Sequence, residues 1–215
     1  DVDRLLPQIR EFSPDDVDGY LKMADHARRI FETGYSKLAH LPFGRLSDML
    51  RVAPKMVQLK NYRTVYGLVS QYIKDERLRQ VFTFHSLLIG GNPFNVSSIY
   101  LLIHWLERRW GVHYAKGGTG SIVNGLVKVL EELDVDIQLN TPVTEIEVSN
   151  GKAVAVHTDN GKRIACDIVV SNADPSFVYK NMIAAKHRKH NTDRKVSRTK
   201  QSMGLFVAYF GARKT

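Results

Sequence analysis

YAKGGTGSIVNGLVKVLEELDVDIQLNTPVTEI, residues 114–146, is the stretch from which the rest of the chain can be placed. Gly117-Gly118 stands just before a run whose apolar residues Ile122, Leu126, Leu130 and Leu133 recur at the spacing of a one-faced helix. Two glycines ahead of a helix let the backbone approach a neighbour closely, and the N–H groups of the first turn attract an anion. The same doublet also serves an ordinary strand-to-helix turn, and both uses stand at this point. After the helix the period changes to two. Residues 135–139, 143–148, 153–158 and 163–171 read as strands. Asn150-Gly151 is a two-residue hairpin turn whose positive φ angles match strand twist, Asp159-Asn160-Gly161 makes the next turn, and SNADP at 171–175 ends the last strand and opens a helix.

Upstream the pattern is helical. Ser13, Pro14 and Asp16 form a start signal: a cap, a proline at the first helical position and an acid in the first turn. Val17, Tyr20, Leu21, Ala24, Ala27 and Phe31 then recur at helical spacing. A second helix is predicted from Ser47, broken or restarted at Pro54, where proline removes a donor and crowds the preceding turn. Further helices are predicted over 62–73, 76–88 and 96–110, the last capped by Asn95 and stopped at Gly111. Downstream, GLFVAYF at 204–210 is strand-prone. The chain therefore divides into a mostly helical region over 1–112, a mixed α/β part over 113–175, and a segment over 176–215 expected to return to the first region.

Residues 80–106 contain no Asp, Glu, Lys or Arg, long enough to span a bilayer, but Gly90, Gly91, Asn92, Pro93 and Asn95 break the run into two short helices. A buried helical hairpin and the wall of a pocket for a very apolar ligand both fit it. The net charge of +9 is equally localised: seven Lys and Arg stand against Asp193 alone between 186 and 200, and Arg213 and Lys214 add to the tail. That run holds no aromatic residue, which argues against nucleic acid and leaves a solvated surface loop or a contact with anionic lipid. The single Cys166 excludes a disulfide framework and a cysteine-based zinc site and suits a reducing compartment. No Walker loop, nucleophile elbow or HExxH is present, no pair of the eight histidines has ligand spacing within one element, and no metal is expected. The chain begins at Asp1 without a methionine and is expected to be an excerpt of a longer protein.

Residues 114–146 followed by DIVVSNADP (167–175) resemble the middle of flavin-dependent desaturases and amine oxidases that bind FAD. The stretch from LPFGRLSDML to LERRWGV (41–112), with FHSLLIGGNPF at 84–94, is similar more specifically to bacterial-type phytoene desaturases of carotenoid synthesis. The likeness runs from about Ile9 to Gly211. It implies an α/β fold class: the internal part of a two-domain FAD flavoprotein, with a mostly helical substrate and membrane region and part of the FAD-binding α/β domain. It also implies a glycine-rich dinucleotide fold upstream of Asp1 and a flavin-contacting segment downstream of Thr215.

On the resemblance, the Val143 backbone contacts the adenine, and Gly117, Gly118, Ser171, Asn172 and Ala173 pass close to the FAD; an ordinary strand valine is the plain alternative for Val143. The implied substrate is a long hydrocarbon, an apolar carotenoid without a polar handle, which resides in a membrane and enters an apolar tunnel from its surface. Phe82, Phe84, Leu88, Phe94, Ile99 and Trp105 are the candidate lining, each of which core packing also explains. Asp48 and Arg51, three residues apart on one helix face, are the candidate catalytic pair, Asp48 as proton acceptor or charge stabiliser and Arg51 as its orienting partner; a surface ion pair is the alternative. The expected activity is desaturation of phytoene to lycopene-type products with hydride transfer to flavin, by a cytoplasmic, peripheral membrane protein. Related isomerase, ketolase or other-chain-length desaturase activities, and a noncatalytic hydrophobic-ligand module, remain as alternatives.

Overall fold

The computed structural model describes residues 2–42, 44–202, 204, 206–208 and 210–212. The chain forms two compact units, Asp1–Tyr114 with Ser202–Thr215, and Ala115–Gln201. Helix and sheet are mixed, as the α/β expectation requires.

The first unit is helical. Helix α1 (Val2–Phe12) precedes the Ser13 signal and buries Ile9. The Ser13 hydroxyl donates to Asp16 at 2.9 Å, a 3₁₀ turn spans Pro14–Asp16, and α2 (Val17–Gly34) follows. Tyr20, Met23, Ala27, Ile30 and Phe31 are its buried stripe, while Leu21 faces outward. Helix α3 (Leu46–Gln58) runs through Pro54 without a break. Pro54 and Leu50 are both exposed, so the carbonyl that loses its partner can be hydrated, and the proline ends nothing.

The region predicted as three longer helices is cut shorter. It forms α4 (Val65–Val69), α5 (Glu76–Thr83), 3₁₀ turns over Phe84–Ile89 and Ser98–Leu101, and α6 (Leu102–Trp110). Thr64 and Asp75 cap α4 and α5 through their side chains. Ile9, Tyr20, Met23, Ile30, Leu59, Leu68, Ile73, Phe82 and Leu101 share one core. Each such side chain contributes roughly 1.5–3 kcal/mol through removal from water. Among the described residues no helix is long and apolar enough to cross a membrane.

The second unit starts with α7 (Thr119–Glu132), none of whose residues is buried. Strands β1 (Val143–Ser149), β2 (Lys152–Thr158) and β3 (Arg163–Ala165) form an antiparallel sheet in that order. The predicted turn joins β1 to β2, with φ of 49° at Asn150 and 78° at Gly151. Glu147 ties the strands together, accepting from Arg163 Nε at 2.7 Å and His157 Nε2 at 2.9 Å, and these partners hold its carboxyl down to about 2. Ile146, Ala155 and Val178 are the unit's buried apolar residues. Val178 opens a π-helical turn (Val178–Met182) after α8 (Pro175–Phe177), and Thr192 caps α9 (Asp193–Arg198).

Three strand expectations change. Residues 135–139 form no strand, the strand expected over 163–171 stops at Ala165, and the described residues of 204–210 adopt no regular structure, Leu205 and Tyr209 lying outside the described set. A strand exists only through its hydrogen-bonded neighbour. Val135, Ile137, Leu139, Ile168 and Val170 are all exposed, so these alternating segments have no partner strand among the described residues.

Candidate functional site

In the first unit the approach to α3 builds a groove of about 450 Å³ lined by Pro42, Arg45, Asp48, Arg51 and Val52 among others. Asp48 and Arg51 both line this groove, as their i, i+3 placement on one face of α3 allows. They form no ion pair with each other among the described residues. Asp48 is half-buried at the third position of α3, and its carboxylate accepts the Arg45 backbone N–H at 3.1 Å, closing the helix start; Arg51 is exposed.

Val52 also reaches a more enclosed cavity of about 210 Å³, whose other walls include Gly34, Met49, Met56, Asn61 and Ile99. Of the six candidate tunnel residues, only Ile99 lies there. Phe82 is buried in the core, 5.2 Å from Tyr20 and 5.6 Å from His104 between ring centres, and Trp105 packs against the same core. Phe84 and Leu88 are 68% and 70% exposed, and exposed Phe94 leans on Tyr66 at 4.5 Å. The charge-free window therefore supplies both core and an apolar surface, and its six candidates do not gather around one void.

Residues that the sequence pattern did not single out occupy that core. His85 and His104 are buried, and burial pushes them down to about 4 and about 3, so both are neutral near pH 7. His104 Nε2 lies 3.3 Å from the Tyr20 hydroxyl. No cluster of metal-binding side chains occurs among the described residues.

The second unit carries the residues expected near a flavin nucleotide. Gly117 and Gly118 have φ of 83° and 87°, and with ψ of 174° Gly118 occupies a region open almost only to glycine. Ser121 Oγ lies 2.7 Å from Gly118 O and 2.9 Å from Lys116 O, its one proton shared between the two carbonyls ahead of α7. Val143 begins β1, an edge strand whose outer backbone groups meet no other strand among the described residues. Ser171, Asn172 and Ala173 are exposed, and Ser171 Oγ accepts the Ala173 N–H at 3.2 Å before Asp174 caps α8. A glycine turn without Cβ atoms and an edge strand with unpaired backbone groups fit a flavin nucleotide held by backbone contacts.

Residues 3–204 match the family of flavin containing amine oxidoreductases. The lycopene-forming phytoene desaturase of Pantoea ananas is 44% identical over 211 residues, which is 98% of this chain and 43% of that protein. A lycopene-forming phytoene desaturase of Paracoccus sp. is 41% identical over 99% of this chain and 42% of its own length. The neurosporene-forming phytoene desaturase of Rhodobacter capsulatus is 38% identical over 99% of this chain and 41% of its own. The chain spans less than half the length of these curated relatives.

Proposed function

This chain belongs to the family of flavin containing amine oxidoreductases, with FAD as cofactor, and from that premise we propose that the full-length protein desaturates an apolar carotenoid, phytoene, toward lycopene-type products at a membrane surface. The observation that carries the proposal is the 38–44% identity, across nearly the whole chain, to relatives named as phytoene desaturases. The neurosporene-forming relative leaves the number of double bonds to be read from the product.

Desaturation takes a hydride and a proton from adjacent carbons and leaves a double bond. FAD supplies the hydride acceptor. Asp48, in its groove, accepts the proton or stabilises developing positive charge; its carboxylate is oriented by the Arg45 backbone N–H, and Arg51 lines the same groove. The turn at Gly117-Gly118, the backbone of Val143 and the stretch Ser171–Asn172–Ala173 hold the cofactor. Phe84, Leu88 and Phe94, exposed in a window without charges, enter the lipid surface from which the hydrocarbon is drawn. Lys186, Lys189, Arg194, Lys195, Arg198 and Lys200 are exposed and attract anionic headgroups, consistent with a peripheral membrane protein of the cytoplasm.

Incubating the full-length protein with phytoene in anionic liposomes tests this. A coloured, conjugated product is expected, with Asp48→Asn slowing its formation by roughly 10²-fold or more. Turnover unchanged by Asp48→Asn removes that residue from the chemistry, and no product from a yellow, flavin-loaded protein rejects the substrate.

A further inference from the structure

The enclosed cavity against α3 has one buried amide. Helix α3 ends in a Schellman motif: Lys60 takes φ of 56°, its N–H donates to Val57 O at 2.9 Å, and the Asn61 N–H donates to Met56 O at 2.9 Å. Ser97 Oγ donates to Asn61 O at 2.6 Å and Ser98 Oγ to Lys60 O at 3.0 Å. The Asn61 backbone is thereby pinned on both sides. Its side chain is not. Asn61 is 6% exposed, and its buried Oδ1 has no hydrogen-bond partner. Such a group ordinarily has one, because an unpaired buried polar atom costs about 1–3 kcal/mol.

Asn61 lines the cavity of about 210 Å³ together with apolar Met49, Val52, Met56 and Ile99 and polar Thr33 and Lys55. No side-chain hydrogen bond of Asn61 is found among the described residues, so turning its amide toward the void breaks none. The cavity is smaller than the ~300–1,000 Å³ typical of sites for whole drug-sized ligands, so it takes one end of a longer molecule. We propose that this cavity is a ligand subsite for the hydroxyl-bearing end of an aliphatic alcohol, with Asn61 hydrogen-bonded to the hydroxyl and the apolar part of the walls enclosing the chain. A hydroxyl both donates and accepts, so it pairs with either end of the amide, whereas a pure hydrocarbon leaves the amide unpaired. The assignment goes beyond desaturation of a hydrocarbon and holds or fails independently of it.

The test measures binding. Equilibrium dialysis of the full-length flavoprotein compares geraniol with the hydrocarbon of the same skeleton in which hydrogen replaces the hydroxyl. The preference for geraniol over the hydrocarbon is expected to fall by roughly fivefold to tenfold in Asn61→Leu, a near-isosteric change that removes the amide. Met56→Phe, which narrows the cavity, is expected to weaken both probes. An equal preference in wild type and Asn61→Leu overturns the role of Asn61, as it would if the amide only holds water. Unaltered binding of both probes to Met56→Phe overturns the cavity as the subsite.

Discussion

The buried carboxylate of Asp16 accepts the backbone N–H of Lys74 at 2.6 Å, joining residues 58 positions apart in the chain. Asp75 N–H and the Ser13 hydroxyl complete its shell at 2.8 and 2.9 Å. Burial pushes the Asp16 carboxyl up, but the hydrogen bonds from Asp75, Lys74 and Ser13 outweigh it and hold it below its usual value. Beside it, a Cβ at Gly19 would overlap the Tyr72 carbonyl oxygen, so the chain touches backbone to backbone there. Asp16→Ala strands the backbone donors of Lys74 and Asp75 and is expected to cost about 3 kcal/mol, read as a lowered urea midpoint. Gly19→Ala is expected to cost at least as much as a typical overpacking change, about 1–3 kcal/mol. Wild-type midpoints for both variants would show that the 72–75 segment yields freely.

The neutral histidines make the first unit acid-sensitive. His85 and His104 bind protons less readily when folded than at the ordinary value of 6.5, so the unfolded chain holds more protons in the interval. Stability is therefore full above about pH 6.5 and declines as pH falls toward about 4 and then about 3. His26 shifts in the same direction, through burial, while its Nε2 donates to Leu59 O at 2.9 Å. Denaturation midpoints are expected to be lower at pH 5 than at pH 7, and His104→Phe is expected to reduce that difference. An identical difference in the variant would remove His104 from the acid response.

Gly118 gives the sharpest test of whether the turn ahead of α7 holds the cofactor. Its φ of 87° and ψ of 174° make Gly118→Ala a strained substitution of about 1–3 kcal/mol. The purified full-length variant is expected to carry less FAD than wild type, measured as the ratio of flavin absorbance to protein. Full flavin content would show that the turn lies away from the nucleotide.

The basic run is not uniform. Arg188 is buried and its guanidinium pairs with Asp193, so reversing its charge breaks the structure as well as the surface. Reversing exposed Lys186, Lys189, Arg194 and Lys195 instead is expected to weaken sedimentation with anionic liposomes, each residue contributing on the order of 1 kcal/mol, with little change in melting. Equal sedimentation would leave the run as solvated surface.

Local signals were legible in the residues. Asn150-Gly151 forms its predicted turn because a two-residue hairpin is decided by backbone preferences at two positions, and the Ser13–Asp16 signal does stand at the start of α2. What depended on distant partners was not. Asp16 reads as a first-turn acid, yet its role is set by backbone donors from residues 74 and 75. Residues 135–139 alternate as a strand but have no neighbour to pair with among the described residues. At the site, the spacing of Asp48 and Arg51 put both on one groove, whereas Asn61 carries no sequence signal, since its place follows from Lys60 adopting a left-handed backbone that glycine usually supplies.

Flavin-dependent removal of hydrogen from a carotenoid is tested most directly by a single anaerobic turnover. The full-length protein, loaded with FAD, is mixed without oxygen with phytoene in liposomes, and the visible absorbance of the flavin is followed together with that of the product. Loss of the flavin bands in step with the rise of a longer conjugated polyene is the predicted result. Oxidised flavin bands that persist while phytoene is recovered unchanged would contradict it.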